Sequence, residues 1–307
     1  MLLARGPLAG ASWSSSLITL RIDHTTTYRY HQPVSLGPHQ LVLRPRESRN
    51  LRLIAFELTL TPATTVTWAH DVFGNAVATA TFAGTTDHLV VDSVAELELD
   101  ATAWPVFDVA ASAISYPFPY QSDDRADLGA LALQQYPDPM GRLRQWAEAF
   151  VAARPTDTLS LLKDLSAGIT AWVRYQSRED EGTQSPIETL DRGWGSCRDF
   201  AVLFVEAARS LGFGARIVSG YAYNPEREAE SSTTHAWAEV FVPGAGWITF
   251  DPTNRSVGGF NLIPVAVGRG IHQVTPVAGS FIGVTDAFQG LWVDVSVSSK
   301  RHAAPVT

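Results

Sequence analysis

From residue 17 to about residue 100 the chain reads as β structure throughout, and this stretch restricts the fold more than any other feature. LITLRIDHTTTYRYH is rich in β-branched and aromatic residues with partial alternation, and LRLIAFELTLTP continues in that style. DVFGNAVATATFAG then sets a Phe-Gly-Asn turn between strand-like runs, which predicts a hairpin. DHLVVDSVAELELD adds another pair of short strands. Short strands at regular turn spacing imply a β-sandwich or a curled sheet. Residues 18–103 are therefore expected to form an N-terminal β domain, preceded by a flexible leader over 1–17.

The pattern then changes. WPVFDVAASAISYPFPYQ (104–121) carries three prolines and reads as a linker between domains. Helical patterns follow in DDRADLGALALQQY, GRLRQWAEAFVAA and DTLSLLKDLSAGITAWVRYQ. In the last, Leu159, Leu162, Leu165, Ile169 and Val173 recur at helical spacing, and Thr156-Asp157-Thr158 offers the N-cap. RIVSGYAYN, HAWAEVFV and WITFD return to short β runs. Helices followed by an antiparallel sheet suit an α+β layer over 122–298, with a tail over 299–307.

Charge narrows the partners. A net charge of −8 and no stretch dense in Lys and Arg argue against nucleic acid. The basic groups of LRPRESRNLR (43–52) read as a solvated strand end. No apolar run approaches the ~20 residues that span a bilayer, so no membrane partner is expected. The leader lacks the regions of a secretory signal. One cysteine makes no intramolecular disulfide, and cytoplasm is the default location.

That cysteine sits in GWGSCRDFAVLFVEAARSLGFG (193–214). Two glycines let the backbone turn sharply before Cys197, and the residues after it are strongly helical. Phe200, Phe204, Ala207 and Leu211 form an apolar stripe that Gly212 and Gly214 end. Ser196 or Cys197 then stands at the N-cap, where free N–H groups and the helix dipole favour a negative sulfur or a developing oxyanion. A buried structural thiol needs no such setting.

A reactive thiol needs a base. His235 opens the alternating strand HAWAEVFV, PGAG turns the chain, and Asp251 closes GWITFD before Pro252. An antiparallel pair brings His235 and Asp251 to the same edge of the sheet. A four-residue loop in regular register would set Asp251 opposite Ala238, so direct contact needs a bulge, a looser loop or a skewed register. A thiolate, an imidazole that shares its proton and a carboxylate that fixes the tautomer make a complete set for acyl chemistry.

These segments and their spacing resemble the transglutaminase-like family with its papain-like core. The resemblance implies Cys197 as nucleophile, His235 as base and Asp251 as its orienting carboxylate. RIDHTTTYRYHQPVSLGPHQLVLRPR and HDVFGN (70–75) resemble the β-rich N-terminal domain of bacterial members, so likeness covers nearly the whole chain after the leader. It departs near 266–276, where AVGRGIHQVTP lacks the acidic residues expected there. The departure bears on substrate recognition or a secondary site.

No metal or organic cofactor is expected. His24 and His31 fall on opposite faces of a strand, and a zinc site lacks further ligands. No Gly-rich phosphate loop appears. Trp194 either packs in the core or lines the acyl site. The expected function is thiol-dependent acyl transfer on a protein or peptide amide through a thioester, with water or a small amine as acceptor. A binding or scaffolding module that keeps the fold without the chemistry is the alternative, and the sequence leaves oligomeric state open.

Overall fold

The computed structural model describes residues 17–100, 105–178, 182–225 and 234–300. The expected leader, apart from Leu17, and residues 301–307 of the expected tail lie outside them.

The first half is a sandwich of antiparallel strands. Its longer strands are β1 (Ile18–Leu36), β2 (His39–Leu41), β3 (Leu51–Thr61), β4 (Thr65–His70), β5 (Ala76–Thr81) and β6 (Thr86–Leu99). The Phe-Gly-Asn turn joins β4 to β5 as a hairpin, as its sequence predicts. β6 is one strand of 14 residues, not two short ones. Leu89, Val91, Ala95, Leu97 and Leu99 are all buried, so the alternation runs unbroken through Asp92 and Ser93. Asp92 faces outward, where it accepts a 2.6 Å hydrogen bond from the Thr25 hydroxyl.

The second half carries α1 (Ser122–Leu128), α2 (Arg142–Glu148), α3 (Thr158–Trp172), α4 (Pro186–Arg192) and α5 (Cys197–Ser210). Strands β7 (Ala215–Ala222), β8 (His235–Val242), β9 (Gly246–Asp251) and β10 (Leu262–Gly268) form its antiparallel sheet in the order β9-β8-β7-β10, with the two-residue strand Ser256–Val257 at the outer edge of β9. The periodic residues of α5 pack onto this sheet, with Phe204 against Phe250 at a ring separation of 5.3 Å. Asp157 caps α3 by accepting the Ser160 N–H at 2.7 Å. α1 and α2 are shorter than their patterns suggest. α1 stops at Gly129, and α2 stops where the chain turns to seat the Phe150 ring against Gly168 of α3.

Two boundaries move. The Pro-rich segment is no free linker: Ala113 and Tyr116 are buried, Ser115–Tyr116 pairs with Thr156–Asp157, and the Tyr116 hydroxyl donates to the Leu211 carbonyl at 3.0 Å. Burial of Tyr116 removes apolar surface from water and holds the segment against the second half. The last strand, β11 (Phe288–Lys300), returns to the first half and pairs with β1 from Tyr30↔Phe288 to Thr19↔Lys300. Residues 288–298, expected within the second domain, thus complete the sheet β11-β1-β6-β3. Val295 and Val297 join Leu20, Ile22 and Leu97 in a core that continues into α3 and α5.

The basic stretch 43–52 is only partly a solvated strand end. Arg52 pairs with Glu98 at the surface, whereas Arg46 turns inward to the Phe73 carbonyl and Asn75. Asn75 is fully buried and exchanges hydrogen bonds with Val267 of β10 at 2.7 and 2.9 Å. The HDVFGN segment therefore fastens the two halves together. No helix among the described residues is long and apolar enough to cross a membrane.

Candidate active site

Cys197 is the first residue of α5, preceded by Ser196 at the N-cap. Its amide N–H is among those the helix leaves without an internal partner. The turn into the helix is held by Asp199, which is fully buried. Its Oδ2 accepts from the Ser196 amide at 2.8 Å and the Ser196 hydroxyl at 2.9 Å, and its Oδ1 accepts from the Gln184 amide at 2.7 Å. Arg178 donates to the same carboxylate at 3.1 Å. One carboxylate therefore ties the residue before the thiol to Arg178 and Gln184. Gly195 makes this possible, because a Cβ there would lie 2.9 Å from the Asp199 Cβ.

The hairpin supplies the partners. The turn between β8 and β9 has three residues, not four: Val242 pairs with Gly246 and Ala238 with Phe250. Continuing that register sets Asp251 across from Trp237, on the face that Trp237 shares with His235. No bulge is needed, since His235 and Asp251 meet as diagonal neighbours. Their His235 Nε2 to Asp251 Oδ2 distance is 2.8 Å. The Cys197 thiol interacts with the same imidazole through a hydrogen bond and charge. Trp237 stacks beside the imidazole with ring centroids 5.8 Å apart.

Asp251 is fixed in turn. Its Oδ1 accepts the Thr253 amide at 3.0 Å, and its Oδ2 accepts the Asn254 side-chain amide at 2.7 Å. The Asp-Pro-Thr-Asn turn thus orients the carboxylate as well as ending the strand.

The electrostatics follow from this chain of contacts. Burial pushes the Cys197 thiol up, but the hydrogen bond and charge of His235, the Ala236 amide and Arg198 together bring it below its ordinary value. Burial pushes His235 down, yet hydrogen bonds to Asp251 and Cys197 and the charges of both carry it up to about 10. Burial also works against the Asp251 carboxylate, which His235 and Asn254 hold below its usual range. Both shifts favour the charged forms, a thiolate beside an imidazolium.

All three residues singled out in the sequence come together. Asp199, Arg178 and Asn254 were not singled out. The Ser-x-x-Asp spacing of a capping box pointed to Asp199, and the Asx-turn composition pointed to Asn254. Trp194 does not pack in the core: it pairs with Arg174 in a two-residue strand, and the Arg192 guanidinium lies 5.5 Å over its ring. Tyr175, the neighbour of Gly195 in that pair, is half-exposed beside the thiol. His24 meets Tyr221 and Thr26 with its two ring nitrogens at 2.8 and 2.9 Å.

Comparison with known proteins agrees with this architecture. Residues 20–98 match the bacterial transglutaminase-like N-terminal region, and residues 131–252 match the transglutaminase-like superfamily. An uncharacterized protein of Mycobacterium tuberculosis is 29% identical over 277 residues, covering 84% of this chain and 86% of its own length. A protein-glutamine gamma-glutamyltransferase of Pseudomonas aeruginosa is 29% identical over 104 residues, 32% of this chain and 14% of that protein. A crystal structure from Cytophaga hutchinsonii, described as a candidate cysteine protease, shares the fold at a TM-score of 0.73 and 20% identity, over 94% of this chain and 93% of that one. Residues 131–252 thus belong to the transglutaminase-like superfamily, and residues 20–98 to the bacterial transglutaminase-like N-terminal region.

Proposed function

We propose that the protein is a thiol-dependent acyl-transfer enzyme acting on amide bonds, with Cys197 as nucleophile, His235 as acid–base and Asp251 as the group that orients the imidazole. The observation that carries this reading is a single imidazole bonded to both the thiol at the start of α5 and a buried carboxylate. The Cys197 thiolate attacks the amide carbonyl carbon, forming a C–S bond as the carbonyl electrons move onto oxygen. The helix N-terminus faces that charge with its free N–H groups. The oxyanion collapses, the C–N bond breaks, and the imidazolium gives its proton to the departing nitrogen. Water or an amine then attacks the thioester while His235 takes its proton, and the thiolate leaves. Water makes this a hydrolase of peptides or amides. An amine makes it a transferase, the activity named for the Pseudomonas relative.

With one cysteine in the chain, the test is direct. Iodoacetamide labelling of the folded protein is followed by intact mass from pH 4 to 10, beside His235→Ala. Fast labelling at pH 6 that disappears in the variant is expected. Labelling that rises only near the ordinary thiol pKa of about 8.5 in both proteins sinks the proposal. Peptide and glutamine substrates, each with and without an added amine, then decide which acceptor the thioester meets.

A further inference from the structure

The two sheets of the N-terminal sandwich part along one side. β3 and β4 follow each other through residues 62–64, and each is the terminal strand of its sheet. Between them lies a cleft of about 570 Å³, within the range of small-molecule sites. Ile54, Phe56 and Leu58 of β3 and Val66 and Trp68 of β4 line it, with Arg44 at its wall. None of its lining comes from α5 or β7–β10, so it is separate from the cysteine site.

Three features set this cleft apart from a loosely closed sandwich. Pairing between β3 and β6 passes from Leu53↔Leu97 to Ala55↔Glu96, which leaves Ile54 bulged out of register and 48% exposed. Trp68, across the cleft, is also 48% exposed, although its ring meets Phe56 edge-on at 6.0 Å. Large apolar side chains gathered on one open surface are uncommon unless something covers them. The third feature is Arg44. Its neighbours Arg46 and Arg52 are engaged, whereas Arg44, half-buried, has neither ion pair nor hydrogen bond among the described residues. In a chain of net charge −8, shortage of carboxylates is not the cause. A guanidinium beside an apolar wall is suited to a carboxylate that brings an apolar body with it.

We propose that this cleft binds a small amphipathic anion, an alkyl or aryl carboxylate, with its apolar body between β3 and β4 and its carboxylate on Arg44. Calorimetric titration of the full chain with decanoate, and separately with decyltrimethylammonium, tests it. The expected result is one decanoate per chain, bound at least about tenfold more tightly than the cation. Arg44→Gln closes that gap, and Ile54→Ser weakens both probes. Cys197 labelling stays at the wild-type rate in both variants, which shows that they are folded and keeps this result separate from the fate of the acyl-transfer reading. Absence of decanoate binding, equal affinity for the two probes, or affinity unchanged in Arg44→Gln overturns the proposal. Binding of an alternating Val-Thr hexapeptide in place of decanoate does so too, by giving the cleft to strand addition at the β3 edge.

Discussion

At the scale of single residues, Asp251, His235 and Cys197 are coupled by hydrogen bonds and charge, and His235 and Cys197 each carry a pH signature. The thiolate persists above the lowered thiol pKa, and the imidazolium persists below about pH 10. On the proposed acyl-transfer reading, turnover falls as pH rises through about 10, because His235 loses the proton it would give the leaving nitrogen, while alkylation stays fast because the thiolate remains. Parallel pH profiles of the two rates check this. Asp251→Asn removes the carboxylate that holds the imidazolium, so the alkaline limb should move below 10 and kcat should drop by roughly 10²–10⁴. Asp199 acts on geometry. Asp199→Asn leaves Arg178 without its buried partner and is expected to cost about 3 kcal/mol in urea unfolding. Cys197, His235 and Asp251 were legible because each stands at a recognisable start or stop of an element. Asp199 and Asn254 carried only the local cap and turn signals, and their partners in the site depend on what those turns bring within reach.

At the scale of elements, the β8–β9 hairpin decides whether His235 and Asp251 meet. A shift of one residue in pairing moves Asp251 to the opposite face of β9, toward α5 and away from His235. The three-residue turn prevents this, and Gly244 makes that turn possible. Its φ is +84°, and a Cβ there would lie 2.5 Å from the Ala110 nitrogen and 2.6 Å from the Asp108 carbonyl oxygen. Gly244→Ala is expected to destabilise the fold by about 2 kcal/mol or more, measured by urea midpoint, and to slow Cys197 labelling at pH 6 as the hairpin shifts. The sequence displayed both strands and the turn between them. It did not display the register, because PGAG is compatible with three or four loop residues, and only packing against residues 108–110 selects one. The long strand β6 was misread for a related reason: Asp92 and Ser93 look like a break until Thr25 is seen to satisfy the aspartate.

At the scale of the whole molecule, the two halves share one core and are joined by contacts that no local pattern foretells. β11 has the alternation of any strand, and nothing within it announces pairing with residues some 270 positions earlier. His24 shows what this joining implies for stability. It is buried on β1, and its Nδ1 meets the Tyr221 hydroxyl of β7 at 2.8 Å, so one imidazole links the sandwich to the sheet that carries His235. Burial lowers its pKa to about 4 against an ordinary value near 6.5. The folded state therefore holds a neutral ring, and between those two values the unfolded chain binds the extra proton. Its contribution is complete above pH 6.5 and is lost as pH falls toward 4, amounting to roughly 3 kcal/mol across that window. His24→Gln keeps a polar side chain there but does not titrate. Urea unfolding of both proteins at pH 7, 5.5 and 4 should show the wild type losing that much more stability than the variant as pH falls. Parallel losses in the two proteins would mean that the junction between the halves does not feel the proton.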